Sequence, residues 1–185
     1  MKAILKLTTS LLIYLVVISC NQVKEESEKK VSRFIGDTLF LPEISEVLYK
    51  DSLYHEKLPL NKESKLKITT LIWGDCESCI ADLEGWGELF QLANSKQDIE
   101  ILFYLYTSDF NFFKKHIYDD KNFHQYPLIL DKKLNYVDRN DLPFNDKIYQ
   151  TFLLDSNNKV ILVGNPTQSD KLMELYKEEI KKRLD

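Results

Sequence analysis

The sequence has too few cysteines to build a disulfide framework. Three occur among 185 residues: Cys20 stands alone near the N-terminus, and Cys76 and Cys79 form a C-x-x-C pair. A fold held together by disulfides needs more bridges than this, so an apolar core must stabilise the chain. With 44% hydrophobic and 29% charged residues, the composition suits one globular domain of ordinary size preceded by a leader.

Concentrated positive charge is also missing. The net charge is −4, and binding to phosphates needs a basic face, so nucleic acid is excluded as a partner. The three histidines, His55, His116 and His124, lack the spacing of metal ligands, and no second C-x-x-C occurs. We therefore expect no metal site, and we interpret each histidine as a surface or helix-face residue.

No apolar run is long enough to span a bilayer securely. The mostly apolar residues 7–18 follow Lys2 and Lys6, whereas a spanning helix needs roughly 20 apolar residues. The run ends in Val17-Ile18-Ser19-Cys20, which resembles the lipobox of bacterial lipoproteins. That resemblance implies a signal peptide over residues 1–19 and a lipid on Cys20. The alternative is a secreted protein in which Cys20 is incidental.

The segment after Cys20 is charged and lacks apolar periodicity. We interpret residues 20–33 as a solvated, flexible tether that holds the domain off the membrane. Its Lys24-Glu25-Glu26 cluster loosely resembles the acidic export signal of some Bacteroidetes lipoproteins. The expected location is therefore the cell envelope, anchored on the periplasmic face or at the cell surface.

The paired cysteines lie where a predicted strand is followed by a predicted helix. Residues 66–72 are rich in β-branched side chains, and Ile80, Leu83 and Phe90 recur at helical spacing. A thiolate at a helix N-terminus is stabilised by unpaired backbone N–H groups, which lowers its pKa. Two intervening residues also bring both sulfurs within bonding reach. The pair can therefore switch between dithiol and disulfide.

The rest of the chain alternates between strand and helix patterns. Short extended pieces at residues 38–41 and 47–49 predict a β-rich entry, and residues 51–64 a polar connection. The later elements are a strand over 98–106, a helix capped by Ser108 or Asp109, a short strand over 126–130, a polar stretch to Lys147, a hairpin of residues 150–155 and 159–163, and a helix from about Ser169 with Leu172, Tyr176, Ile180 and Leu184 on one face. This order predicts an α/β domain over residues 34–185, with a central mixed sheet flanked by helices and an N-terminal β extension.

The domain resembles membrane-anchored thioredoxin-like oxidoreductases of the TlpA and ResA type. The shared landmarks, in order, are the C-x-x-C pair after the first long strand, residues 126–131, and residues 151–155 with their hairpin. The resemblance implies that Cys76 attacks a disulfide and that Cys79 resolves the mixed intermediate. It also implies a protein disulfide as substrate, an upstream redox partner as electron source, and no bound cofactor.

Acidic residues flank the first cysteine, where this family usually has an aromatic residue directly before it. Asp75 stands at that position and Glu77 follows the cysteine. Their charges should raise the pKa of Cys76 and oppose the effect of the helix. This predicts a reducing or slow redox couple.

Two further family features are missing. The family places a cis-proline before the strand that begins near Thr151, but Tyr149 and Gln150 occupy the nearest positions. A cis bond before a non-proline residue costs roughly 2.5 to 4 kcal/mol, so we expect a trans, reshaped loop. Thr69 and Thr70 stand where a proton-transferring acid is expected, which leaves Asp75 or Glu77 as candidate bases.

Several readings of the cysteine pair stay open. It is interpreted first as the redox centre of a lipid-anchored oxidoreductase that reduces disulfides of exported proteins. The alternative is a binding or assembly lipoprotein with an inert structural disulfide, in which Tyr149 helps to form a ligand surface. Peroxide reduction is disfavoured because Trp73 stands three residues before Cys76, where that chemistry needs a hydroxyl. Trp73 and Trp86 either shape the face around the disulfide or belong to the core.

Overall fold

The computed structural model describes residues 29–49, 52–55, 64–96, 98–119, 127–144 and 146–184. The chain divides into two units, Met1–Ile35 and Gly36–Asp185. In the first unit, residues 29–34 are helical, whereas the sequence predicted a flexible tether through residue 33. Lysine and arginine are good helix formers, and no glycine or proline interrupts this segment. The predicted signal peptide and Cys20 lie outside the described residues.

Within the described residues, the second unit is built on a seven-stranded mixed sheet with the strand order β2-β1-β5-β4-β3-β6-β7. The strands are β1 (Val47–Tyr49), β2 (Ser52–Tyr54), β3 (Leu66–Trp73), β4 (Ile99–Tyr106), β5 (Leu128–Leu130), β6 (Thr151–Asp155) and β7 (Val160–Val163). None of the described helices is long and apolar enough to cross a membrane.

The two longest strands lie at the centre of the sheet. β3 and β4 pair in parallel from Leu66 opposite Ile99 to Trp73 opposite Tyr106, and both are buried along most of their length. Burial on both faces explains their nearly continuous apolar character. β6 pairs antiparallel with β3 and forms the predicted hairpin with β7. The N-terminal β extension is confirmed, because β1 pairs antiparallel with β5 and β2.

Helices cover the sheet and complete the predicted order. They are α1 (Glu77–Ala81), a 3₁₀ segment (Asp82–Trp86), α2 (Gly87–Ser95), α3 (Phe110–Asp119), α4 (Asn135–Asp138), 3₁₀ segments at Lys147–Gln150 and Pro166–Gln168, and α5 (Asp170–Leu184). The core contains Trp86 and Phe103, whose rings meet edge to face. Tyr176 and Ile180 of α5 are buried as predicted, whereas Leu172 and Leu184 are partly buried against the same core.

One predicted helix after the cysteines is three successive segments. The 3₁₀ segment contains Gly85, and a Cβ atom there would lie 2.8 Å from Thr167 Cβ. Gly85 and Gly87 also lower the helix propensity of this region. Close packing against the 166–168 turn therefore interrupts the helical pattern that the apolar spacing predicted.

Three other predictions are corrected in detail. Residues 38–41 do not form a strand. Thr38 instead makes an isolated β-bridge to Lys159. The connection predicted over 51–64 contains β2. The polar stretch after β5 contains α4, which Asp131 stabilises by accepting hydrogen bonds from the backbone N–H groups of Asn135 and Tyr136. Hydrogen bonds from a polar side chain such as Asp131 produce no periodicity of apolar residues in the sequence. The sequence pattern therefore did not indicate this helix.

Candidate functional site

Cys76 and Cys79 form a disulfide at the junction between β3 and α1. Their Cα atoms lie 5.2 Å apart, within the usual range for a disulfide. Cys76 is the N-cap of α1 with an extended backbone, φ −132° and ψ 112°. Its carbonyl oxygen accepts hydrogen bonds from the N–H groups of Cys79 and Ile80. The first helical turn thus holds the two sulfurs together, as the spacing predicted.

The two sulfurs differ in accessibility. Cys76 is half-buried, whereas Cys79 is only 7% exposed. The expected asymmetry is therefore present, with the first cysteine nearer to solvent. The Ser78 hydroxyl lies 3.2 Å from Cys76 Sγ, which places a potential hydrogen-bond donor beside this sulfur. The sequence pattern alone does not indicate this contact of Ser78.

Asp75 is directed at the loop after β4. Its carboxylate accepts hydrogen bonds from the hydroxyls of Thr107 and Ser108 and from the backbone N–H groups of Ser108 and Asp109. Burial raises the pKa of Asp75, but these hydrogen bonds outweigh it and lower the pKa from 3.8 to about 2. A carboxylate that holds its proton so weakly is a poor general base at neutral pH. Asp75 therefore stays charged and joins two loops.

Glu77 lies in the first turn of α1 and is exposed. An acidic residue in this position interacts favourably with the N-terminal N–H groups of the helix. Its charge nevertheless stands next to Cys76 in the sequence, so the expectation that it opposes thiolate formation remains a prediction.

Trp73 and Gln150 are brought together beside the disulfide. Trp73 Nε1 donates a 2.9 Å hydrogen bond to Gln150 Oε1, and the Gln150 amide donates to the carbonyl oxygens of Pro143 and Phe144. The Phe144 ring packs edge to face on Trp73, with a centroid distance of 4.7 Å. Gln150 is thus a buried structural link between β3 and the 143–144 loop. Trp86, by contrast, belongs to the core.

Tyr149 is buried, with 2% of its surface exposed. The suggestion that it helps to form a ligand surface is therefore wrong, because its ring packs inside the domain. Within the described residues every peptide bond is trans, including those that precede Tyr149 and Gln150. The segment forms a 3₁₀ turn, in which the Asp146 side chain accepts a hydrogen bond from Ile148 N–H.

That 3₁₀ turn carries a site residue that the sequence analysis missed. Lys147 Nζ lies 2.9 Å from Cys79 Sγ. Both residues line a cleft beside the disulfide, together with Thr70, Leu71, Ile72, Trp73, Asp82, Gln150, Thr151, Asn165 and Gln168. The signal in the sequence is weak, because nothing in the pattern of residues 131–147 indicates which side chain faces the disulfide.

Two buried residues of β3, Thr69 and Thr70, are polar without being acidic. Thr69 shares a 2.8 Å hydrogen bond with the Tyr136 hydroxyl, and Thr70 shares one of 2.7 Å with Thr151. Both threonines are buried. Each hydroxyl thus has a neutral partner, so these positions supply hydrogen bonds but no proton-transferring carboxylate. Among the described residues, no group of three His, Cys, Asp or Glu side chains is arranged to hold a metal ion.

Comparisons with known proteins place the fold. No family model and no curated protein matches the sequence. The structure is similar to that of a putative thiol:disulfide interchange protein DsbE from Chlorobium tepidum, with a TM-score of 0.53, 14% identity, and coverage of 80% of this chain and 100% of that one. It is also similar to reduced 2-Cys peroxiredoxin from Plasmodium vivax, with a TM-score of 0.53, 11% identity, and coverage of 80% and 98%.

A thioredoxin-like protein from Porphyromonas gingivalis is another structural neighbour, with a TM-score of 0.47, 18% identity, and coverage of 80% of this chain and 94% of that one. The domain has a thioredoxin-like fold, and the predicted fold class is confirmed.

The peroxiredoxin neighbour shares the fold, and peroxide reduction also needs an arginine that holds the thiolate and the peroxide. Arg139 lies over the Phe40 ring, 3.7 Å from its centroid, and Arg183 pairs with Glu179. The remaining arginine, Arg33, belongs to the other unit. Both arginines of the thioredoxin-like unit thus make these contacts away from the cysteine pair, with Phe40 and with Glu179.

Proposed function

We propose that the protein is a thiol-disulfide oxidoreductase that reduces disulfides in exported proteins. The observation that carries the proposal is the Cys76–Cys79 disulfide at a strand–helix junction, with one sulfur half-buried and the other nearly covered. A structural disulfide does not require one sulfur to be more accessible than the other. Thiol-disulfide exchange, by contrast, needs one sulfur that a partner can reach. The thioredoxin-like fold supports the same class of reaction.

In the reduced enzyme, the Cys76 thiolate would attack one sulfur of the substrate disulfide. A bond forms between Cys76 and that sulfur, the substrate bond breaks, and the second substrate sulfur leaves as a thiolate and is protonated by water. Cys79, as a thiolate, then attacks Cys76 Sγ, forms the intramolecular disulfide and releases the first substrate sulfur. A dithiol donor restores the enzyme by the reverse exchange.

The direction of reduction is supported by negative charge beside Cys76. Asp75 is ionised at neutral pH, since its pKa is about 2, and Glu77 lies at the start of α1. Both charges disfavour a neighbouring thiolate, which makes the reduced form less stable and the couple more reducing.

Insulin reduction tests the proposed activity. The full chain with Cys20→Ser, purified in detergent so that the C-x-x-C pair supplies the remaining thiols, should reduce insulin with dithiothreitol as electron donor. Cys76→Ser in the same background should lower the rate to that of dithiothreitol alone. A rate unaffected by Cys76→Ser would remove the enzyme proposal. A potential below about −300 mV with no turnover would instead favour the binding lipoprotein with a structural disulfide.

We also propose that the protein is anchored in the cell envelope by a lipid on Cys20. Support comes from the order of basic residues, apolar run and cysteine in the leader. Bacterial cells fed a labelled fatty acid should incorporate label into the wild-type chain, and Cys20→Ser should abolish it. Equal labelling of both chains would contradict the anchor, and no labelling of either would leave a secreted protein.

A further inference from the structure

The cleft beside the disulfide presents a cation to the buried sulfur. Lys147 Nζ lies 2.9 Å from Cys79 Sγ, and Cys79 is only 7% exposed. Lys147 itself is an exposed residue, and its ammonium group contacts the sulfur at the edge of the cleft. Burial of this kind disfavours an ionised thiol, and a cation at contact distance favours it.

The backbone turn that carries Lys147 is held in place by the surrounding structure. Lys147 is the first residue of the 3₁₀ turn that Asp146 caps. At the other end of the turn, Gln150 bonds to Trp73 and to the carbonyl oxygens of Pro143 and Phe144. The turn is therefore tied to the end of β3, close to the disulfide, by contacts that do not involve the lysine side chain.

Of the described residues that line the cleft, Lys147 and Asp82 carry charge. Asp82 begins the 3₁₀ segment after α1 and is half-buried. A carboxylate in the same cleft opposes ionisation of the thiol, so the net field at Cys79 depends on both groups. The lysine makes the direct contact with the sulfur, and its effect is expected to be the larger one.

We propose that Lys147 is a catalytic residue that stabilises the Cys79 thiolate in both directions of disulfide exchange. The inference rests on the proposed function and adds a group that the sequence pattern did not indicate. When a donor thiolate attacks Cys76 Sγ, a donor–Cys76 bond forms and the Cys76–Cys79 bond breaks. The electron pair of the broken bond goes to Cys79 Sγ, beside Lys147. In the forward direction the same thiolate attacks Cys76 and expels the substrate sulfur.

The stabilisation has two consequences. Cys79 becomes a better leaving group, so reduction of the enzyme by its donor is faster. The reduced form is also favoured, which raises the reduction potential and offsets part of the effect of Asp75 and Glu77. A tenfold change in the equilibrium constant corresponds to about 30 mV for this two-electron couple.

Titration of an isolated Cys79 tests the proposal. In the full chain with Cys20→Ser and Cys76→Ser, Cys79 is the remaining thiol, and its ionisation can be followed by thiolate absorbance and by the pH dependence of alkylation. Lys147→Met should raise the pKa of Cys79 by about 1 unit, and Lys147→Arg should restore most of the change. In the chain that retains both paired cysteines, Lys147→Met should lower the rate of reduction by dithiothreitol about threefold, since the exchange rate follows only part of a change in thiol pKa.

Lys181→Met is the matched control. Lys181 is exposed in the last turn of α5, and its position 11 residues after the start of that helix places it about 16 Å along the axis. It should leave the pKa of Cys79 unchanged. A Lys147→Met variant with an unchanged pKa would overturn the proposal, as would an equal shift in Lys147→Arg, since that would indicate a structural role.

The two proposals fail in different ways. The titration does not depend on turnover, so a chain that never reduces insulin disproves the oxidoreductase but leaves the lysine–thiolate contact measurable. Conversely, a chain that reduces insulin but shows no effect of Lys147→Met keeps its activity and loses this assignment.

Discussion

Asp75 shows how one side chain at the site serves the fold. It directly precedes the nucleophilic position, yet its carboxylate is directed at the Thr107–Asp109 loop and accepts hydrogen bonds from three residues there. The same loop contains Asp109, which caps α3 by accepting from the N–H groups of Asn111 and Phe112. The charge next to Cys76 is therefore a consequence of how two β–α loops are joined.

Asp75 should contribute a pH-dependent part of stability. Its pKa in the folded chain is about 2, below the ordinary value of 3.8, so the contribution is present above pH 3.8 and is lost as pH falls through about 2. Asp75→Asn should lower the free energy of unfolding by about 1 kcal/mol near neutral pH, after allowance for solvent screening.

Urea denaturation between pH 2 and pH 7 measures this prediction. The difference between the wild-type chain and Asp75→Asn should shrink steeply towards pH 2, where about half of the folded wild-type carboxyls are protonated. Thr107→Val, which removes one donor, should show a smaller version of the same dependence. A difference that stays constant across the whole pH range would contradict the assignment.

At the scale of elements, the junction after β3 depends on close packing of two loops. Gly74 donates its N–H to the Tyr106 carbonyl oxygen, and a Cβ at this position would lie 2.8 Å from Thr107 Cβ and 2.9 Å from Phe113 Cδ2. The absence of a side chain is what lets β3 turn into α1 while α3 packs beside it. The turn that precedes the C-x-x-C pair therefore has no space for a side chain at position 74.

Gly74→Ala should therefore destabilise the domain by about 1 to 3 kcal/mol, the usual cost of overpacking. The measurement is the midpoint of urea denaturation. Gly36→Ala is a useful comparison, since Gly36 has φ +85° but no atom within 4 Å of the added Cβ, so any loss there reports backbone strain alone. An unchanged midpoint for Gly74→Ala would show that the loops move apart freely.

The elements that were predictable are those whose pattern reflects burial. Apolar, β-branched runs predicted β3 and β4. The two apolar runs around Asn158 predicted the hairpin, in which Asn158 has φ 61°. The helix after the cysteines was predicted as one piece, because apolar spacing carries no information about the contact between Gly85 and Thr167. Packing between segments that are distant in the sequence therefore determined where this helix is interrupted.

At the scale of the whole molecule, the same distinction separates the predictable part of the site from the rest. The cysteine pair and its asymmetry follow from local sequence. Lys147 reaches Cys79 from 68 residues away, and Thr107 reaches Asp75 from 32 residues away. Such contacts depend on strand order and on the path of loops, which a linear pattern does not encode. Tyr149 was misassigned for this reason.

In the proposed mechanism, Cys76 is the sulfur that partners meet first. Trapping of mixed disulfides tests it most directly, in reduced full chains that carry Cys20→Ser together with either Cys79→Ser or Cys76→Ser. Each chain is mixed with a disulfide-containing peptide and followed by intact mass spectrometry. The Cys79→Ser chain should accumulate a peptide adduct on Cys76, and the Cys76→Ser chain should react at least about tenfold more slowly through its buried Cys79. Equal rates, or faster reaction through Cys79, would contradict the account.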